Sequence, residues 1–260
     1  MIAAARPVSY LPRPSLLWVI AAAWLVAIAT DVTGTARALH HHNLIEGGRP
    51  PAVSLALFAL AWQVHITAMM LPSSLPLIRL FNRTAEAQPQ ATLVKAAFVL
   101  GYVAVWTVFG IFAFDGDILV HGMVERSLWL FLHQWVIAGS TLVVAGVFQF
   151  TDLKEKCLDE CRNPAAYMLR HYRRGVSQAF SMGVGHAAFC LGCCWALMLL
   201  MFAVGVANLL WMAPLTLIMF VEKAHPLGAR VVRPLGFALV VAGALVLANL
   251  VSLPGLSAAN

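Results

Sequence analysis

Along this chain, apolar runs of about 20 residues alternate with short polar connections, the spacing of helices that cross a bilayer rather than of amphipathic helices around a water-soluble core. Seven such runs are read, at approximately 16–32, 52–71, 92–114, 128–150, 182–204, 207–221 and 232–253. No charged residue occurs from Met182 to Val221, a stretch too long for one span, and Gly205-Val206-Ala207-Asn208 supplies the turn that divides it. The longest connection, 151–179, carries charges of both signs and is predicted to be an amphipathic helix pair lying on the cytoplasmic membrane surface. Pro72 and Pro76 are predicted to end or kink the second span just past Met69 and Met70. The expected architecture is an all-α, polytopic transmembrane helical bundle of about seven spans, with residues 1–260 forming a single integral membrane domain.

Composition agrees with the pattern. Charged residues make up 11% of the chain, against about 25% in an ordinary soluble domain, while 61% is hydrophobic. Mean hydropathy is +0.83. The formal net charge of +6 would suggest nucleic acid in a soluble protein, but here the basic residues lie between apolar spans and report orientation instead. With seven spans, all of the 17 Lys and Arg except Arg37, Arg49 and Arg126 fall on one side. The amino terminus is then expected in the cytoplasm and the carboxyl terminus outside, with the lipid bilayer as partner and no nucleic acid. Ala27-Ile28-Ala29 has the small residues of a signal-peptidase site, but the apolar run continues to Val32, which argues against cleavage.

Chemistry concentrates in the fifth run, which reads His186-x-x-x-Cys190-x-x-Cys193-Cys194-x-x-x-Met198-x-x-Met201. At about 100° per residue these six side chains fall within an arc of roughly 140°, one face of a helix. Imidazole and thiol groups gain nothing from facing lipid, so such a face is expected to point at protein, a cavity or an ion. The second run carries His65, Met69 and Met70 at comparable depth. Any one buried Cys or Met is ordinarily a small hydrophobe or a gap filler, whereas three Cys, one His and two Met on one arc point to metal or redox chemistry. Thiolate and thioether donors together suit copper(I); zinc, the alternative, would use Cys and His and leave the methionines idle.

The two remaining cysteines, Cys157 and Cys161, are four residues apart and share a face of the long connection. On the cytoplasmic side they are expected to be reduced and suited to metal capture or redox work. His40, His41 and His42 read as a solvated loop run, Asp115, Asp117 and His121 as a short outward loop, and Glu222-Lys223 as an interfacial ion pair closing the sixth span. Trp18, Trp129, Trp211 and Tyr102 read as belt or packing residues. Phosphate loops, nucleophile elbows, zinc-protease helices and paired intramembrane carboxylates are all missing from the sequence, which favours binding, delivery or transport over catalysis.

The motifs resemble a family of bacterial predicted metal-binding integral membrane proteins. The likeness runs through Ala68-Met69-Met70-Leu71-Pro72, Gly101-Tyr102 with Trp106, Cys157-Leu158-x-x-Cys161-Arg162-x-Pro164, Gly185-His186, Cys190-x-Gly192-Cys193-Cys194-Trp195-x-Leu197-Met198, Asn208 and Glu222-Lys223. It implies metal binding in the bacterial cytoplasmic membrane. Combined with the residues, it gives an expectation of copper(I) handling. Cys190, Cys193 and Cys194 would be the primary ligands, with His186, His65, Met69, Met70, Met198 and Met201 accessory and Cys157 with Cys161 a cytoplasmic loading or release pair. A metallochaperone or another membrane protein would then be a partner. Two other classes stay open: a membrane thiol-disulfide oxidoreductase using Cys190-x-x-Cys193, and an assembly subunit of a larger complex that uses the stripe for packing.

Overall fold

The computed structural model describes residues 14–35, 44, 48, 50–204 and 208–252; His40 to His42 lie outside the described residues. Helix is the dominant element, and no strand occurs among these residues. In chain order the helices are α1 (Pro14–Val32), α2 (Pro51–Met69), α3 (Leu71–Ala85), α4 (Ala91–Arg126), α5 (Leu128–Leu132), α6 (Trp135–Phe148), α7 (Asp152–Arg162), α8 (Pro164–His171), α9 (Val176–Val204), α10 (Leu209–Ala224) and α11 (Gly228–Leu247).

The all-helical expectation holds, but the span count falls. Among the described residues four helices are long and apolar enough to cross a membrane: Pro51–Met69, Ala91–Arg126, Val176–Ala203 and Gly228–Leu247. A fifth arises if Trp135–Phe148 and Asp152–Arg162, bent by 67°, are counted as one broken span. The segment at 16–32 is a shorter apolar helix. The segment at 207–221 becomes α10, whose 16 residues include Pro214 and end on Glu222 and Lys223. At 1.5 Å per residue such a helix reaches about 24 Å, short of a hydrocarbon core of about 30 Å. The segment at 128–150 is interrupted at His133 and Gln134, where the chain leaves helical geometry between α5 and α6. Hydropathy sees that segment as one run because two polar residues weigh little in an average over about 20 positions, while the break itself is made by the non-helical dihedrals of His133.

The expectation for Pro72 and Pro76 is met at the end of the second run: α2 stops at Met69, Met70 is the joint, and the chain resumes as α3 with Pro72 in its first turn, where its missing N–H costs nothing, and Pro76 inside it. Two other expectations change. The stretch with Asp115, Asp117 and His121 is not a loop but a continuation of the 36-residue α4. The connection at 151–179 does contain a helix pair, yet α7 does not lie free on a membrane surface. Thr151 caps it by accepting from the Lys154 N–H, and its apolar face carries Lys154, Cys157, Leu158 and Cys161 into the protein interior.

Small residues set the helix spacing in two helix pairs. A methyl group added at Gly101 of α4 or Gly183 of α9 would run into the carbonyl oxygens of Phe180 and Phe98 respectively, so these two helices touch backbone to backbone. The α6–α11 pair repeats the device: a Cβ at Gly146 would stand 2.8 Å from Gly236 O, and one at Gly243 2.8 Å from Gly139 O. Elsewhere the outer surface exposes large apolar side chains such as Leu60, Leu100, Phe112, Leu217 and Phe237.

Replacing Gly183 by Leu is expected to force α4 and α9 apart and cost about 1–3 kcal/mol or more. Gly116→Ala, where an added methyl meets open space, is expected to be neutral or to stabilise by about 0.5–1 kcal/mol. The thermal midpoints of the two detergent-solubilised variants measure the contrast.

Candidate metal centre

Four elements and one helix junction bring the sulfur-bearing residues together. The cysteine motif of α9 is its middle, Met70 is the joint between α2 and α3, Tyr102 comes from α4, Cys161 from α7 and Lys223 from the last turn of α10. All five cysteines are free and buried. Cys190, Cys193 and Cys194 are at most 1% exposed, and Met69, Met70 and Met198 are fully buried.

The centre of the group is an ammonium. Lys223 Nζ stands 3.1 Å from Cys190 Sγ, 3.6 Å from Cys194 Sγ and 3.8 Å from Met70 Sδ. Cys194 Sγ also lies 3.9 Å from Met70 Sδ, and the Tyr102 hydroxyl lies 3.4 Å from Cys190 Sγ. Two thiols and one thioether therefore surround a single positive charge. The reading of Glu222-Lys223 as a mutual ion pair is corrected by this geometry. The Glu222 carboxylate turns instead to Lys154 of α7, with Nζ–Oε2 2.8 Å and both residues fully buried. Arg162 Nε donates to the Glu222 carbonyl at 2.7 Å, tying the end of α7 to the same turn of α10.

The remaining candidate residues divide. Cys161 faces the stripe: it is buried in the same core and lies near enough to Cys190 and Cys193 to interact electrostatically with both. Cys157 lies against the notch at Gly192, where an added methyl would come within 2.6 Å of its sulfur. The pair is thus part of the buried cluster and not a separate station on the surface. Cys193 and Cys194 each donate to the Cys190 carbonyl, at 3.0 and 2.9 Å. Met69, Met198 and Met201 are buried in the same core, but among the described residues the methionine sulfur that accepts from a thiol or ammonium is that of Met70.

Neither histidine joins the sulfurs. His65 turns Nδ1 to the carbonyl of Ala61 in its own helix, 2.8 Å away. His186 sits among the rings of Phe98, Tyr102 and Tyr167 and meets Ser74 Oγ through Nε2 at 3.3 Å, while its buried Nδ1 has no partner. Ser74 in turn donates to the Tyr102 hydroxyl at 3.2 Å, so His186 reaches Cys190 only through two intervening hydroxyls. Below it, burial, with help from Glu160 and Cys161, pushes the Tyr167 hydroxyl above its ordinary range, leaving it a donor to the Met182 carbonyl at 2.9 Å.

Among the described residues no three His, Cys, Asp or Glu side chains are spaced as a closed metal polyhedron. Two causes are visible in the contacts: Lys223 stands between the sulfurs, and two of the thiols are turned to a backbone carbonyl. Lys223, Lys154, Ser74 and Tyr102 were not singled out as site residues by sequence. The one signal available was a charged pair in the last turn of an otherwise apolar helix, which marks a functional position more often than a packing one.

A family model described as PpoB2, a copper chaperone, matches residues 59–246. That interval contains His65, Met69, Met70, both cysteine clusters, Glu222 and Lys223. No curated protein and no solved structure matches the chain.

Lys154→Met leaves the Glu222 carboxylate buried with no cation on it and is expected to cost about 3–5 kcal/mol. Removing both charges in Lys154→Met/Glu222→Leu is expected to recover most of that loss. Unfolding midpoints of the two variants in detergent check the coupling.

Proposed function

Because the chain belongs to the PpoB2 copper chaperone family, we propose that it binds copper(I) inside the membrane on Cys190, Cys194 and Met70 and hands it on by exchange of sulfur ligands. The observation that carries this reading is the convergence of two thiols and a thioether from different helices on one cation position, held by Lys223. Two thiolates and a thioether form the soft, low-coordinate donor set that copper(I) prefers. Zinc would call on the histidines, and His65 and His186 are both engaged elsewhere. Cys161 beside Cys190 and Cys193 gives the ion a next ligand on a different helix, and Cys157, packed at Gly192, a further one on the same buried face of α7. Transfer by replacing one sulfur at a time needs no hydrated ion in the bilayer.

The bundle is proposed to sit in the bacterial cytoplasmic membrane. The α3–α4 and α8–α9 connections meet at one end of the molecule, where Arg174 donates to Ala87 O at 3.1 Å and Gly175 N to Gln88 Oε1 at 2.8 Å. Arg79, Arg83, Arg170, Arg173 and Arg174 cluster toward that end, which the positive-inside rule assigns to the cytoplasm. A metallochaperone or a copper-dependent membrane protein fits as the exchange partner. The burial of Cys157 and Cys161 in the same core as Cys190 and Cys193 also supports the redox alternative, in which the Cys190-x-x-Cys193 pair cycles between dithiol and disulfide with Cys157 and Cys161 as relay.

Purified under anaerobic reducing conditions, the protein is expected to hold copper(I) stoichiometrically against a competing chelator. Cys190→Ser and Cys194→Ser should each weaken binding about a hundredfold or more, and Met70→Leu about tenfold, or 1.4 kcal/mol. Cys157→Ser is expected to leave equilibrium affinity nearly unchanged while slowing transfer to the chelator. Copper retained undiminished in Cys190→Ser/Cys194→Ser would refute the site, and oxidant-driven turnover without copper would favour the disulfide chemistry.

A further inference from the structure

We propose that Lys223 is a selectivity residue that fixes the valence of the ion this cluster accepts, admitting a monovalent soft cation and rejecting a divalent one. The inference rests on the reading of Cys190, Cys194 and Met70 as the ligand set.

The argument is one of charge conservation in a dry layer. The buried ions here are Lys154, Glu222 and Lys223, with 0%, 0% and 4% exposure. Lys154 and Glu222 pair at 2.8 Å, and among the described residues no carboxylate stands within ion-pair distance of Lys223. The other acidic residues of α7 do not supply one: Glu160 pairs with Arg170, and Asp152, Glu155 and Asp159 are exposed. A further cation at this turn, Arg162, donates to the Glu222 carbonyl and adds positive charge rather than removing it. What faces Lys223 is sulfur.

A metal bound by Cys190 and Cys194 requires both as thiolates, which contribute two negative charges. With Lys223 beside them, one positive charge on the metal brings the group to neutrality, and copper(I) or silver(I) satisfies this. Zinc(II) or cadmium(II) on the same two thiolates leaves one uncompensated positive charge where water cannot reach it, a state that low-dielectric surroundings penalise heavily. Without the ammonium the preference reverses, because a divalent ion then gives the neutral group and a monovalent ion leaves it negative. Met70 contributes a neutral donor and does not alter the balance. Softness of the donors favours copper in any case; the lysine adds a second filter that acts on charge, not on ligand type.

The test is the ratio of copper(I) to zinc(II) affinity, measured by chelator competition on the full-length protein in detergent for wild type, Lys223→Gln, Lys223→Met and Lys223→Arg. The ratio is expected to fall at least about tenfold in the Gln and Met variants through tighter zinc and weaker copper, and to stay near wild type in the Arg variant. A purely structural lysine would change both affinities together, and an unchanged ratio in Lys223→Gln overturns the proposal. Should neither neutral variant fold, the wild-type protein still decides: silver(I) is expected to survive exhaustive dialysis and cadmium(II) to be lost. Cadmium(II) retained stoichiometrically with silver-like affinity overturns the assignment. Copper binding that survives Cys190→Ser/Cys194→Ser overturns the ligand reading and this inference with it. Copper lost there but an unchanged ratio in Lys223→Gln overturns the valence assignment alone.

Discussion

A buried layer of charge at the end of α10 constrains how the helices around it are arranged. Glu222 and Lys223 are neighbours in sequence, and once removed from water each must find a partner. Successive positions on a helix point about 100° apart, so the two side chains leave in different directions. Glu222 draws in Lys154 and, through its carbonyl, Arg162, which fixes α7 against α10. Lys223 takes the sulfurs of α9 and of the α2–α3 joint. The charged pair thereby locks together the elements that carry the cysteines, and it explains why so polar a helix as α7 bends by 67° from α6 to enter the interior.

The glycine contacts serve the same end by a different means. Backbone-to-backbone contact of α4 with α9 at Gly101 and Gly183 brings Tyr102 to Cys190, and the notch at Gly192 lets α7 approach closely enough for Cys157 and Cys161 to join the cluster. Close helix packing therefore has a chemical product here: thiols from two helices are gathered in one buried core, shielded from oxidants in water. An ion moved by ligand exchange needs such neighbours, since each departing sulfur must be replaced before the ion is left bare.

The seven-run reading of hydropathy and the described helices differ because hydropathy measures composition while a span also needs an unbroken helix. The break at His133 and Gln134, the bend after Phe148 and the 16-residue length of α10 are invisible to an apolar average. The amphipathic pattern of α7 was equally ambiguous. Spacing of four placed Cys157 and Cys161 on one face, and amphipathicity says that such a face is covered; it does not say whether lipid headgroups or other helices cover it.

The amino-acid sequence by itself determined that the chain is helical and apolar and that three of its five thiols share one face of one helix and the other two a face of a second. These are local properties, set by hydropathy and by the fixed rotation per residue. Only the tertiary structure decided which sulfur meets which charge. Lys223 is separated from Cys194, Cys190 and Met70 by 29, 33 and 153 positions, and Tyr102 from Cys190 by 88. No periodicity encodes such pairings, which arise because buried charges draw particular side chains together and small glycines let the helices approach closely.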